Sequence, residues 1–543
     1  MKRRGNSPNE PKTCVLTSAL RGGMTRAIGR LVARACHGAL GSAAPTALRK
    51  HGILLTQVSG AGAGEEEVLV LGNAASEIVT GRALAAVLAS AHAYERDVLA
   101  ALAAGEPAPP MVQHTAAAAP AQVGGFIDAL EAHLPPHGPD WCVSLQVEGA
   151  TAVNAGVELL LQLQAARGSS DRTSVAVADR SYHGPPGTSF GNPATPVGAV
   201  HSATKPAQLT YPAPHPWRAA ELGAAGLGRA LEAEWDAFFT RHAGTVGAVL
   251  VEPQWGSACC AATWPPELLR SFIGRAHDAG ALVLADEVMC TLGRHAARAA
   301  DGRAACFLSS AWGLDIDALT FGKAVGAGAY PLSGAVLLRG GEEIGRAGGA
   351  LGQSHTYAAA SPRALLAATA VLDALRTEWA EMIDAASAVL GDAVTAAAAA
   401  GAGRMHAQGH GLMRGLLIDP ALPAAERAAA MTALEARCRE ARVVPYFIRA
   451  SAGVIITPPY DAPLVMLREA GERLAVAVGR VADDMGWRPP EARAADSSRM
   501  AGAPAALRRQ LPGPGAKLRA AEHGAPVIHR IRSGSSGPAD AIE

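Results

Sequence analysis

Two short apolar runs that each stop at a charged residue constrain this chain most. Ala281 to Ala285 ends at Asp286, and Ala318 to Phe321 ends at Gly322-Lys323. A buried strand that stops at an ionisable group puts that group at the strand's carboxyl end, where open parallel sheets bind their ligands. An aspartate and a lysine on two such ends point to one site holding opposite charges. A lysine beside apolar strands is usually paired or chemically used.

Around these runs the text alternates strand with helix. Strands are predicted over 142–147, 173–178, 246–251, 283–285, 318–321 and 334–338, and helices over 151–167, 219–242, 266–279 and 363–376. Such alternation argues for an α/β fold, with a mainly parallel sheet covered by helices on both faces. Upstream, residues 52–122 hold two strand-like pieces, a plausible turn at Gly72-Asn73 and a helix over 82–104. Another short helix is predicted over 126–134. Residues 380–487 read as a smaller α+β unit.

The expected organisation is therefore a leader (1–51), an N-terminal segment (52–125) contributing to the small domain, a large domain (126–376), a C-terminal small domain (377–487) and a disordered tail (488–543). The tail is rich in Pro, Gly, Ala, Ser and Arg without lasting period. Residues 1–52 carry ten Lys or Arg against one acid, with Arg26, Arg30 and Arg34 four apart. That pattern reads either as an organellar transit peptide or as a disordered basic leader. Location is expected to be cytoplasmic or mitochondrial.

Composition excludes several classes. Formal net charge is zero, so no basic face for nucleic acid is indicated. Eight scattered cysteines without a CxxC pair support neither a zinc site nor a secreted disulfide framework. No strongly apolar run of membrane-spanning length stands out, so no membrane span is expected.

Four further patterns bear on chemistry. Glu148-Gly149-Ala150 follows a strand and opens a helix, whose free N–H groups suit an anion, although most such turns only turn. Ser181-Tyr182-His183-Gly184 follows another strand, where an aromatic can stack on a planar ligand or simply cap the core. Glu252 at a third strand end can hold a ligand group or make a structural hydrogen bond. Asp286 and Lys323 are the strongest pair. A desolvated lysine forms a Schiff base readily, while an aspartate kept charged holds a protonated ring nitrogen. Those are the two protein contacts expected for pyridoxal phosphate, whose phosphate needs N–H groups and hydroxyls such as the Gly149 turn and Thr356 offer. A structural Asp–Lys salt bridge would leave the other strand-end residues unexplained.

Six of these segments, in order, resemble the fold-type I, class III pyridoxal-phosphate-dependent aminotransferases over roughly residues 50–485. LADEVMCTLGR is similar to that family's aspartate strand, and DALTFGKAVGAGAYPLSGAVL to its Schiff-base lysine segment. VEGATAVNAG resembles the phosphate turn, SYHG the ring-stacking segment, VEPQWGS the Glu-Pro strand end, and GQSHTYAAASP the segment whose threonine reaches the neighbouring subunit's cofactor. GLMRGLLID and IRASAGVIITPPY resemble strands of the small domain.

The resemblance implies that Lys323 binds the cofactor and later moves a proton at the substrate's Cα. Asp286 would hold the ring nitrogen's proton, with Val288 on one ring face and Tyr182, beside His183, on the other. Gly149, Ala150 and Thr356 would bind phosphate, Thr356 across a homodimer interface. Glu252 and Arg449 would recognise substrate. The implied activity is ping-pong transfer of an amino group from an amine or amino acid to a 2-oxo acid. An aminomutase, decarboxylase or lyase on the same scaffold, or a non-catalytic binding relative, is the alternative. The sequence departs from the family at Ala150, where a Ser or Thr is usual, at the residues after Thr356-Tyr357, in the Ala-rich loop between Arg294 and Asp315, and in the N-terminal segment around Gly72.

Overall fold

The computed structural model describes residues 46–51, 53–58, 65–72, 75–109, 121–185, 190, 208–348 and 361–489. The basic leader lies almost wholly outside them, as do the tail from residue 490 and Thr356. The chain opens with strands β1 (Thr46–His51), β2 (Leu54–Val58) and β3 (Glu65–Val70), then helices α1 (Gly81–Ala104) and α2 (Gln122–Glu131). Strand and helix then alternate through β4 (Cys142–Gln146), α3 (Gly149–Ala166), β5 (Ser174–Ala178), β6 (Gln208–Tyr211), α4 (Pro216–Leu222), α5 (Ala224–Arg241), β7 (Val246–Val251), α6 (Pro266–Asp278) and β8 (Leu282–Asp286). A short helix α7 (Leu308–Trp312) precedes β9 (Ala318–Phe321) and β10 (Ser333–Leu337). Helices α8 (Gly341–Arg346), α9 (Pro362–Thr377) and α10 (Trp379–Ala400) lead to β11 (Met405–His410), β12 (Met413–Ile418) and α11 (Ala424–Glu440). The described chain finishes with β13 (Val443–Val444), β14 (Tyr446–Ile448), β15 (Gly453–Ile456) and α12 (Leu464–Asp484).

The large sheet has seven strands in the order β4-β10-β9-β8-β7-β5-β6. Every pairing from β9 to β6 is parallel, and β10 runs antiparallel to both of its neighbours. Strands β7, β8 and β9 are buried at every position. That is why they read as unbroken apolar runs instead of an alternation. Two four-stranded sheets accompany it, β1-β2-β3-β13 and β11-β12-β15-β14. The architecture is thus the expected α/β one, with a large, mainly parallel sheet and smaller α+β parts.

Local chemistry corrects the sequence reading in several places. The single helix expected over 219–242 is two helices, because Gly223 takes φ +70, a left-handed value that breaks the α-helical ladder. Strand β6 was hidden among irregular text and β1 in the basic leader. Gly72 is no turn residue: it bridges Thr457, and a Cβ there would lie 2.5 Å from the Thr457 hydroxyl. Among the described residues, α10 alone is long and apolar enough to cross a membrane by length and composition. Its buried positions Ile383, Ala386, Leu390, Val394 and Ala397 recur every three to four residues, the stripe of a helix packed on one side, and α10 packs against α12.

Aromatics are scarce, yet they concentrate behind the large sheet's carboxyl end. Trp255 stacks on Trp264 at 5.4 Å between ring centroids, and Trp264 lies 6.0 Å from Trp235. Trp255 donates its indole N–H to Arg180 O at 3.0 Å, which ties the loop after β5 to the one after β7. Truncating a buried tryptophan of this kind costs about 3–5 kcal/mol.

Arg294 joins three remote segments. It is fully buried, and it donates to Glu77 O at 2.6 Å and Pro458 O at 2.9 Å, with a longer bond to Leu412 O at 3.4 Å. Its guanidinium also lies 5.1 Å from the Tyr460 ring centroid. The loop between Arg294 and Asp315 is therefore anchored at its start. Arg294→Met should lower stability by about 2–4 kcal/mol, because buried carbonyls lose their donor. Denaturant unfolding measures it, and an unchanged midpoint would refute this role.

Candidate active site

The register between β8 and β9 sets Asp286 directly beside Thr320. Thr320 donates its hydroxyl to Asp286 Oδ1 at 3.0 Å, and the Val288 N–H adds a bond to the same oxygen at 3.1 Å. Oδ2 accepts from His183 Nδ1 at 2.7 Å. Burial pushes the Asp286 carboxyl up, but the His183 bond and charge, the Val288 N–H and Lys323 outweigh it, and its pKa falls below the ordinary value. Asp286 is therefore an anion inside the protein. His183 is pushed down by burial and up more strongly by Asp286 and Glu252, so it leans toward the cation.

Lys323 follows β9 by two residues and starts a 3-10 turn, Lys323–Gly326, with φ +49. A non-glycine residue held there costs roughly 1–3 kcal/mol, and such strain collects where a side chain must point in one direction. Burial lowers the Lys323 pKa against the opposing pull of Asp286 and Glu252. Among the described residues its ammonium has no hydrogen-bond partner. A lysine of this kind gives up its proton more readily than one in water and becomes a nucleophile.

Helix α3 brings the third element. It starts after β4 at the sheet's edge and runs back across β10, β9 and β8. Its first turn meets the end of β8 so closely that a Cβ on Gly149 would sit 2.6 Å from Val288 Cγ1. Only glycine allows this approach. Glu148 precedes the helix with extended backbone, and its side chain makes no cap bond to the first N–H groups.

These groups line one cleft of about 350 Å³. Glu148, Gly149, Ala150, Tyr182, His183, Glu252, Asp286, Val288 and Lys323 all face it. Tyr182, 46% exposed, stands at the mouth with Tyr446. Glu252 accepts the Tyr182 N–H at 2.9 Å on one oxygen and the Gly256 N–H at 3.0 Å on the other. Burial first, then the charge of Asp286, push the Glu252 carboxyl up against the pull of His183 and those two N–H groups, to about 7. The neighbouring Glu287 is buried and points away from the cleft. It accepts from Leu308 N, Ser309 N and Ser309 Oγ at the start of α7.

The fold thus gathers every expected cofactor residue within the described chain; Thr356 lies outside it. Glu252 is in the cleft, but the main chain engages both of its oxygens. Arg449 is not brought to the cleft. It begins a turn fixed by Ser451, whose hydroxyl bonds to Ser257 O and Ala258 O, and its guanidinium is 67% exposed and paired with Glu435. Sequence reasoning missed Thr320, Met289 and Tyr446. A polar residue just before the end of an apolar strand was the available signal for Thr320; Tyr446 and Met289 carried none.

Pyridoxal phosphate fits these residues. Asp286 is ionised for a protonated ring nitrogen, Lys323 has no partner among the described residues and is open to the aldehyde, and the first turn of α3 offers N–H groups to an anion. His183 Nε2 is buried and lacks a partner among the described residues, an orphaned polar atom facing the same cleft.

The family model of class-III aminotransferases matches residues 75–448. No curated protein sequence matches significantly. Among solved structures, a transaminase from a study of directed evolution by ancestral reconstruction is 18% identical, with a TM-score of 0.70 over 85% of this chain and 99% of its own. The PMP-bound aminotransferase of Vibrio fluvialis is also 18% identical, with a TM-score of 0.67 over 81% and 94%. A thermostable omega transaminase from Pseudomonas jessenii is 17% identical, again with a TM-score of 0.67 over 81% and 94%. At such identity the likeness is one of fold.

Glu252 makes stability depend on pH. Its folded pKa lies above its unfolded value, so the folded state binds the proton more tightly. Stability should fall as pH rises from the ordinary carboxylate range to about 7 and level off above it. Glu252→Gln should melt lower at pH 5, having lost one acceptor to an N–H clash, yet show a flatter decline to pH 8. Melting curves across that range check it, and parallel slopes would refute it.

Proposed function

This chain belongs to the class-III aminotransferases, pyridoxal-phosphate-dependent enzymes that transfer amino groups, and we propose that it carries an amino group from an amine or amino acid to a 2-oxo acid in two half-reactions. The observation that supports this most is the placing of Lys323, which has no hydrogen-bond partner among the described residues, beside an ionised Asp286 on adjacent strand ends in one cleft. When bound, the cofactor supplies an aldehyde that joins the amine and a ring that accepts electron density from the substrate's Cα.

The chain's own residues do the rest. Asp286, fixed by His183, Thr320 and the Val288 N–H, would hold the ring nitrogen's proton. Tyr182 and Val288, which both line the cleft, would hold the ring. Lys323 would be the base that takes the proton from the substrate's Cα and later gives it back. Glu252 positions Tyr182 and Gly256 through their backbone N–H groups. The family match does not favour the aminomutase, decarboxylase, lyase or non-catalytic readings.

A homodimer belongs to the same proposal. Leu99 and Leu102 are 54% and 55% exposed on α1, an apolar face that a second copy would cover. Light scattering should give twice the 55.2 kDa chain mass.

The purified protein with pyridoxal phosphate should be yellow, and Lys323→Ala should lose both the band and at least about a thousandfold of the transfer rate. A screen of amines against pyruvate and 2-oxoglutarate should bleach the band with at least one donor. A colourless protein, or a band that no donor bleaches, would sink the proposal.

A further inference from the structure

Thr320 is a polar side chain in the middle of an apolar strand. It is fully buried, and its neighbours along β9, Ala318, Leu319 and Phe321, are buried apolar residues. Valine has the same branched shape and suits a buried strand at least as well. Packing alone therefore gives no reason for the hydroxyl. A hydroxyl taken out of water must be bonded, and Thr320 donates its own to Asp286 Oδ1 at 3.0 Å.

Strand register sets that bond. Asp286 pairs with Thr320 across the parallel strands β8 and β9, and the ladder continues through the Glu287 N–H, which donates to Thr320 O at 3.2 Å. Asp286 faces the cleft, whereas Thr320 lies behind it with no exposed surface. Any influence of Thr320 on the chemistry passes through the carboxylate.

The donors on Asp286 are divided unequally. Oδ1 accepts from the Thr320 hydroxyl at 3.0 Å and from the Val288 N–H at 3.1 Å, while Oδ2 accepts from His183 Nδ1 at 2.7 Å. A carboxylate oxygen has two lone-pair sites. Oδ1 is therefore filled, and Oδ2 is the oxygen that a ring N–H can share with His183. The charged groups around the carboxylate are His183 and Lys323, which favour its anion, and Glu252, which opposes it. Of the two donors on Oδ1, Val288 uses its main chain, so the Thr320 hydroxyl is the one a substitution removes.

We propose that Thr320 is a positioning residue of the transfer reaction: together with the Val288 N–H it fills Asp286 Oδ1, which leaves Oδ2 to the cofactor and keeps the carboxylate an anion, so that the ring nitrogen holds its proton. The proposal rests on the aminotransferase reading, since it takes Asp286 as the ring's partner. Donors to a carboxylate's charged form favour that form. Without the hydroxyl, Asp286 competes for the ring proton, and the ring accepts less electron density from the substrate's Cα.

The test uses the full chain loaded with pyridoxal phosphate that is isotope-labelled at its ring nitrogen. The magnetic-resonance signal of that nitrogen reads its protonation, and the wild type should show the protonated form. Thr320→Val keeps the branched shape and removes the donor. Its nitrogen signal should move toward the unprotonated form. The single-turnover rate at which a donor amine bleaches the visible band should fall about tenfold, the worth of one bond to a charged group. The donor concentration giving half that rate should stay unchanged. Thr320→Ser returns the hydroxyl and should restore both the signal and the rate. Thr320→Ala removes the hydroxyl without crowding the strand and replaces the valine variant if that one does not fold.

A wild-type signal and rate in a hydroxyl-free variant overturns the proposal and leaves the aminotransferase reading standing. So does a loss that Thr320→Ser fails to restore, or one confined to the half-saturating donor concentration, since either marks a packing role. If the wild type gives no band that Lys323→Ala removes, the aminotransferase reading falls and the proposal with it.

Discussion

A carboxylate can stay ionised inside a protein only if donors replace the water it has lost, and the site depends on Asp286 meeting that condition. Thr320, the Val288 N–H and His183 supply the donors, each from a different part of the chain. The nearby carboxylates show the alternatives. Glu252 has two backbone N–H bonds but sits beside Asp286, and its pKa rises to about 7. Glu287 is turned toward the start of α7 and is raised by burial despite four donors. Three acids lie within a few residues of the same strand ends, and hydrogen-bond supply and neighbouring charge decide which one can serve a protonated ring.

Rigidity behind these groups comes from few contacts. The tryptophans at 235, 255 and 264 stack under the loops that carry Tyr182 and Glu252. Arg294 binds the carbonyls of Glu77, Leu412 and Pro458 and so draws the N-terminal segment, the β11–β12 turn and the end of β15 together. With the site held this firmly, Lys323 can be kept at a positive φ, a conformation that an unsupported chain would relax.

Much of the fold was legible because its signals are local. Buried parallel strands are continuous apolar runs, so β7 and β9 could be bounded to the residue and β8 to within one at each end. A helix break at Gly223 was not legible, because glycine inside a helical pattern is tolerated as often as it interrupts. β6 was missed because its four residues carry no pattern of their own and become a strand only by pairing with β5. In the site, Gly149, Asp286 and Lys323 could be picked out from strand ends. The bond from His183 to Asp286 spans 103 residues, and no spacing rule connects them. Arg449 is a different case: a motif suggested it for the substrate, and in the ligand-free chain its exposed guanidinium pairs with Glu435.

By itself the sequence determined which chemical groups sit at the carboxyl ends of which strands, since strand length and polarity are written in consecutive residues. It also determined that Ala150 brings no hydroxyl to the turn that opens α3. Only the tertiary structure decided what those groups are. Register placed Thr320 on Asp286, the crossing of α3 put Gly149 against Val288, and burial with unequal donor supply set the charge of each carboxylate. Those quantities depend on distances between segments far apart in the chain, and a sequence does not contain distances.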